Sequence, residues 1–319
     1  MLNIVLIAPG FKPFPPQGWG AVESIVWDYY ENLSKKSHIQ VNIVNTTDPN
    51  KMIELANQYQ PDVVHIMYDD YIIIAPYLRC KQVLYTSHYA YITHPNFEQQ
   101  YSWYFQNIFK KVIENQSRVQ IFAISEQIAN IYRKYGFQSE IHVLHNGARE
   151  DLFRFSETPA KSDRSVYVAK VEMRKSQYKY QGIPQLDFVG NYQDSTFNTK
   201  LPNYLGEWDK PTLYENLTGY ANLVLLSDGE ADPLVVKEAL IAGLGLVISE
   251  CASANLDTTL PFITVVPDGK RNDIQYVADA IEKNRKVSLE NRLAIREYGL
   301  SKFSWKVIVD NYLERIQRN

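Results

Sequence analysis

The sequence predicts an α/β protein made of two doubly wound parallel-sheet domains, and three observations carry that prediction. Short aliphatic or β-branched runs alternate with helix-period segments almost from the first residue, the pattern of parallel strands joined by helical crossovers. A polar stretch, Ser156 to Ser165, interrupts this rhythm and contains Pro159. Beyond it the alternation starts again. The expected strands of the first half are Asn3 to Ala8, Gln40 to Val44, Asp62 to Met67, Gln82 to Thr86, Val119 to Ala123 and Glu140 to Leu144. Helices are expected at Ala21 to Leu33, where Val22, Ile25, Val26, Tyr29, Tyr30 and Leu33 form one apolar stripe, at Phe97 to Gln116, and at Glu126 to Tyr135. In the second half the strands are Val166 to Ala169, Leu186 to Val189, Asn222 to Leu226, Gly245 to Ile248 and Phe262 to Val265, with helices near Pro211 to Leu217, Pro233 to Ala242 and Asn272 to Lys286. Ser304 is placed to cap a last helix bearing Trp305, Ile308, Tyr312 and Ile316 on one face. The expected domains are therefore 1–157 and 158–319, with the helix at 304–317 free to pack back on the first.

Composition narrows the function. With 319 residues, 45% hydrophobic and 22% charged, the chain is globular and long enough for two cores. The net charge is −3, and residues 1–157 hold 13 Lys+Arg against 15 Asp+Glu, leaving 20 against 21, so no basic half favours nucleic acid. Cys80 and Cys251 stand far apart without metal-ligand spacing, which argues against a disulfide framework or a zinc site. No apolar run approaches the ~20 residues that span a bilayer. Met1 to Ala8 reads as a buried strand rather than a signal peptide, so a cytoplasmic location is expected.

Open parallel sheets bind ligands off the carboxyl ends of their strands, and two such domains in tandem imply a cleft between them. Ser227 to Gly243 follows an apolar strand, so its loop lies at such an end. Asp232 followed by Pro233 is expected to start a helix, with the carboxylate as cap. The amides of Leu234, Val235 and Val236 would then be free donors for a phosphate. Glu238, one turn further on, and Glu230, before the cap, are placed to accept from hydroxyls on either side of that phosphate. Ribose on one carboxylate and a hexose on the other would make a nucleoside-diphosphate sugar. An ordinary loop with solvated glutamates fits the same residues.

Glu230 and Glu238 stand in the E-x7-E arrangement and resemble the retaining glycosyltransferases of GT-B fold, glycosyltransferase family 4 in particular. Several further stretches resemble that family in the same order along the chain. Tyr167-Val168-Ala169-Lys170 with Lys175 resembles the opening of its second domain, where two cations neutralise the donor diphosphate, although Ala169, Lys170 and Ser176 replace glycine, arginine and glycine. Leu186 to Gly190 and Tyr204-Leu205-Gly206 resemble its strand-glycine turns around the nucleobase, and Phe303-Ser304-Trp305 its last helix start. Pro15 to Glu23 resembles the glycine-rich loop of its first domain, where Gly18 and Gly20 would let backbone amides approach a phosphate or sugar. That loop is a poor dinucleotide fingerprint, because Glu23 stands where a third glycine belongs. His88 occupies the strand end where the family carries a histidine near the reacting sugar, whereas His65 reads as core or cleft lining.

The resemblance implies a hexosyltransferase acting from a UDP- or GDP-linked sugar on an acceptor hydroxyl of a glycan or glycolipid, with retention of configuration. Glu230 and His88 would be catalytic, and Gly18, Gly20, Lys170, Lys175, Gly190, Leu234, Val235 and Glu238 would bind the donor. No cofactor is expected besides the nucleotide sugar. No metal is expected either, since Asp69-Asp70 is not an Asp-x-Asp ligand pair and the lysines and helix amides supply positive charge. The aromatic and then basic segment from Tyr89 to Lys111 reads either as a buried helix with a solvated end or as a surface for the acceptor and a membrane interface. The rival function is a catalytically silent GT-B domain that binds a glycan or a partner.

Overall fold

Buried β-branched runs become parallel strands and the amphipathic segments between them become crossovers. The computed structural model describes residues 1–16 and 20–317. The chain divides into two units, Met1–Asn146 with Trp305–Asn319, and Gly147–Ser304. In the first unit the strands are β1 (Leu2–Ile7), β2 (Ile39–Val44), β3 (Val63–Ile66), β4 (Gln82–Tyr85), β5 (Val119–Ala123) and β6 (Ile141–Val143), in the order β2-β1-β3-β4-β5-β6, all parallel. Its helices are α1 (Ala21–Ser34), α2 (Pro49–Gln58), α3 (Phe97–Gln100), α4 (Ser102–Tyr104), α5 (Lys110–Glu114) and α6 (Glu126–Lys134). The second unit holds β7 (Lys161–Val168), β8 (Leu186–Val189), β9 (Tyr220–Leu225), β10 (Gly245–Ser249) and β11 (Ile263–Val266), in the order β11-β10-β9-β7-β8. Its helices are α7 (Lys210–Asn216), α8 (Leu234–Ile241), α9 (Ile274–Glu290) and α10 (Arg292–Phe303). A last helix, α11 (Trp305–Gln317), belongs to the first unit. In each sheet the first strand lies between the second and the third, so both share one winding with its switch point between first and third strands.

The strands of the first half and most of the second fall within a few residues of their expected bounds. The differences are physical. The expected helix Phe97 to Gln116 is broken at Tyr101 (φ −119°, ψ 44°) and continues as a π turn over Phe105–Phe109 before α5. Its Phe97, Tyr104, Phe105, Phe109 and Val112 are buried, while Trp103 is 65% exposed and Lys110 and Lys111 face solvent. The polar stretch at 156–165 is not a linker throughout, because β7 already starts at Lys161. The boundary between the units falls after Asn146 rather than after residue 157. The helices α2 and α10 had no counterpart in the sequence reading. In α2 the capping carboxylate of Asp48, which accepts from the amides of Asn50 and Lys51, and Pro49 at the first position supply the start of a short helix that buries Met52 and Ala56.

An aromatic cluster seats α11 in the first unit. Tyr29 of α1 meets the rings of Trp305 at 4.9 Å and Tyr312 at 5.2 Å, both edge-on. Tyr312 stacks on the imidazole of His65 at 5.6 Å. His65 is fully buried, so it is core rather than cleft lining, and its Nε2 lies 2.8 Å from the Thr86 hydroxyl. Burial, helped by the nearby His88, pushes its pKa down to about 3. The unfolded imidazole titrates near ~6.5, so the unfolded chain binds one more proton than the native one between these values. Stability from this group is thus complete above pH ~6.5 and falls by about 1.4 kcal/mol for each pH unit below it. Urea midpoints measured from pH 7 to pH 4 are expected to drop with that contribution, and His65→Leu should flatten the slope; an unchanged slope in the variant would refute the assignment.

Candidate functional site

The switch point of the second sheet lies between β7 and β9, and the loops leaving their carboxyl ends are 169–176 and 226–233. One buried phenol joins them. The Tyr167 hydroxyl donates to the Lys175 carbonyl at 2.6 Å and accepts from the Leu226 amide at 2.8 Å. The Asp228 amide adds a bond to the Arg174 carbonyl at 2.8 Å. Arg271 ties the second loop from outside, donating to the Ser227 carbonyl at 3.1 Å and to Asp228 Oδ1 at 2.5 Å.

Charges alternate along the joined loops. Lys175 Nζ donates to Glu230 Oε1, and Arg174 Nη1 lies 3.9 Å from Glu230 Oε2. Arg174 also donates to Glu172 Oε1 at 2.8 Å, and Lys170 Nζ stands 3.8 Å from Glu172 Oε2. Three cations therefore face Glu172 and Glu230, while the other two carboxylates of these loops, Asp228 and Asp232, pair with Arg271 and Lys237 from outside them. Glu230 is buried and takes a further bond from the Ser227 hydroxyl at 2.6 Å, while Lys170 has a 44% exposed side chain. Of the two expected lysines, Lys175 is in direct contact with Glu230 and Lys170 reaches it only through Glu172 and Arg174. Arg174 was not singled out by the sequence reading, although the Arg-Lys pair in a loop at a strand's carboxyl end was a signal for it.

The start of α8 differs from expectation. Asp232 does not cap it; Pro233 takes the cap position (φ −66°, ψ 122°) with no side-chain bond to the first turn. The reason is Lys237, wholly buried one turn into the helix, whose ammonium needs a counter-charge. Its Nζ pairs with Asp232 Oδ1, which also accepts from Asn255 Nδ2 at 2.9 Å. Burial lowers the Lys237 pKa, opposed by the Asp232 charge. The Val236 amide is not free either, since it donates to the Pro233 carbonyl at 3.3 Å. That leaves Leu234 and Val235 as the helix-start amides. Glu238 is buried further along α8, and Lys210 of α7 donates to its Oε1 at 2.6 Å.

Gly190 follows β8 at φ +152°, and a Cβ there would lie 1.8 Å from the Ala169 carbonyl oxygen. Only glycine fits. Its amide donates to the Gly206 carbonyl at 2.9 Å, and its carbonyl accepts from the Tyr204 hydroxyl at 3.0 Å. Gly190 thus packs against the base of the loop that carries the lysines.

In the first unit, Gly18 lies outside the described residues. Gly20 precedes α1 with extended backbone, and a Cβ on it would meet Glu23 Oε2 at 2.7 Å. His88 follows β4, and its backbone amide donates to Asp69 Oδ1 at 3.2 Å. Asp69 is a buried carboxylate whose Oδ2 accepts from the hydroxyls of Ser87 at 2.5 Å, Tyr104 at 2.6 Å and Tyr85 at 3.2 Å. Burial holds its pKa above the usual carboxylate range despite these bonds. This cluster, which fixes the loop carrying His88, was not foreseen. Among the described residues no three His, Cys, Asp or Glu side chains are grouped to hold a metal ion. Removing one member of the Asp232–Lys237 pair leaves a buried charge, so Lys237→Met should cost about 3–5 kcal/mol, and the double variant Lys237→Met with Asp232→Leu should recover most of it. Denaturant unfolding of the three proteins reads this directly; equal stabilities would show that the pair is not fixed as described.

Residues 3–152 match the family model described as Glycosyltransferase Family 4. Among curated protein sequences none matches. Solved structures share the fold at low identity. HepE of Anabaena, in complex with UDP-glucose, superimposes with a TM-score of 0.72 at 14% identity, covering all of both chains. Sucrose-phosphate synthase from Thermosynechococcus elongatus gives 0.73 at 16% over 100% of this chain and 99% of that one. The lipopolysaccharide outer core galactosyltransferase WaaB gives 0.67 at 13% over 99% of each. The chain thus has the architecture of GT-B glycosyltransferases, and its residues 3–152 match Glycosyltransferase Family 4.

Proposed function

We propose that the protein is a glycosyltransferase that moves a hexosyl group from a UDP- or GDP-linked sugar to an acceptor hydroxyl on a glycan or glycolipid, with retention of configuration and without a metal ion. The observation that carries this reading is the convergence of Lys175, Arg174 and Glu230 at the switch point of the second sheet, beside the start of the helix that bears Glu238. The surplus cation and the Leu234 and Val235 amides suit a diphosphate, and they would stabilise the charge that grows on it as the sugar–phosphate bond breaks. Glu238 accepts from the ribose and Glu230 from the hexose. The acceptor oxygen bonds to the anomeric carbon on the face the diphosphate leaves, and its proton passes to a leaving phosphate oxygen. His88, on its Asp69-fixed loop in the first unit, serves the acceptor side with the glycine-rich loop at Gly18 and Gly20. Lys170, more exposed, adds its charge to the donor diphosphate beside Lys175. The exposed Trp103, Lys110 and Lys111 are the proposed peripheral membrane contact, and the site of action is the cytoplasm. The UDP and UDP-glucose bound by HepE support a nucleotide-sugar donor.

A nucleotide at 100 times its dissociation constant adds ~2.7 kcal/mol of apparent stability, so thermal unfolding with UDP, GDP, ADP and their hexose conjugates should single out one base. Glu238→Ala is expected to weaken that shift. The matching sugar nucleotide should be slowly hydrolysed at a rate that EDTA does not change and that Glu230→Gln lowers at least about tenfold. No shift with any nucleotide would overturn the donor site, binding without hydrolysis or transfer would leave the silent-domain reading, and loss of activity in EDTA would refute metal independence.

A further inference from the structure

We infer that Lys210 is a positioning residue that sets the Glu238 carboxylate toward the ribose hydroxyls of the bound nucleotide. The inference rests on the donor-site reading above. Glu238 is only 6% exposed, and among the described residues Lys210 is its one side-chain donor, at 2.6 Å on Oε1. A carboxylate held at one oxygen by an ammonium keeps its plane fixed and leaves the lone pairs of Oε2 for neutral donors. Two vicinal hydroxyls are the donors such an oxygen serves best. Lys210 comes from a different element, and its place there is built rather than incidental. It is the first residue of α7, where Asp209 caps the helix by accepting from the Thr212 amide at 2.9 Å and Pro211 stiffens the first turn. Its Nζ stands 5.9 Å from the ring centre of Tyr214, one turn on, which further limits where the long side chain can go. The Lys210 side chain is 29% exposed, so the pair sits at a rim that a ligand can reach. A lysine at this place could instead attract the diphosphate as a free charge, and the two roles give different results.

The test measures binding of UDP and GDP, and of their 2′,3′-dideoxy analogues, to the wild type and to Lys210→Met, Lys210→Arg and Glu238→Gln by calorimetry, with thermal unfolding as a check that each variant is folded. A bond between a charged group and a hydroxyl is lost when the carboxylate turns away, so Lys210→Met should weaken the ribonucleotide about tenfold. The dideoxy analogue, which has no hydroxyl to offer, should bind wild type and Lys210→Met alike, and Lys210→Arg should recover most of the loss. Glu238→Gln should also erase the preference for the ribonucleotide. Equal weakening of both nucleotides in Lys210→Met would show that the lysine acts on the diphosphate, and no weakening of either would show that it is idle; each overturns the inference alone. A wild type that binds neither nucleotide overturns the donor site and the inference together.

Discussion

The carboxyl edge of the second sheet depends on a single buried hydroxyl. Tyr167 has one oxygen to give and gives it twice, as donor to the Lys175 carbonyl and as acceptor from the Leu226 amide. Without it two backbone groups in the interior would have no partner, at about 1–3 kcal/mol each. More follows from the location than from the energy. The Lys175 carbonyl belongs to the loop that carries the cations, and the Leu226 amide opens the loop that carries Glu230. Burial raises the phenol's pKa well above its ordinary value, so it stays un-ionised at neutral pH.

Three residues depart from the glycosyltransferase pattern, and the geometry shows how this chain accommodates them. Ser176, in place of glycine, adopts φ +55° and ψ 19°, the left-handed conformation that a side chain resists by roughly 1–2 kcal/mol. Its hydroxyl donates to Asp228 Oδ2 at 3.2 Å, which offsets part of that cost while tying the two loops once more. The turn itself is intact, with the Ser176 amide bonded to the Met173 carbonyl at 3.0 Å. Ala169 is tolerated because the close approach at that point is made by Gly190 on the neighbouring strand. Lys170 in place of arginine keeps the charge, and the guanidinium of this loop is that of Arg174, which donates to Glu172 and lies 3.9 Å from Glu230 Oε2.

What could be read from the sequence follows from what each residue's neighbours decide. Strands such as Val119–Ala123 and Leu186–Val189 were legible to the residue, because a parallel strand covered on both faces is mostly apolar, and each of these has a single polar residue, Gln120 and Asp187. The Glu230 and Glu238 spacing was legible as well, since it lies within one loop and one helix. Contacts made across the fold were not. Lys210 is 28 residues from Glu238, and nothing in its local pattern distinguishes it from a solvated lysine. Asp232 was misread for the opposite reason: Asp-Pro is a strong local cap signal, and a buried ammonium five residues on outweighed it. Likewise Asp69 looked like half of a failed metal motif until the fold brought three hydroxyls onto it.

The first unit is not continuous in the chain. Tyr29, His65 and Phe122 pack on Trp305 and Tyr312, which lie beyond the whole of Gly147–Ser304. A ribosome therefore delivers six strands of that unit long before the helix that completes it. During that interval the aromatic face is open to water, while the second unit, encoded in one uninterrupted stretch, can finish first. The nascent first unit is therefore the stage at which apolar surface stays exposed for longest, and a chaperone would have that surface to hold.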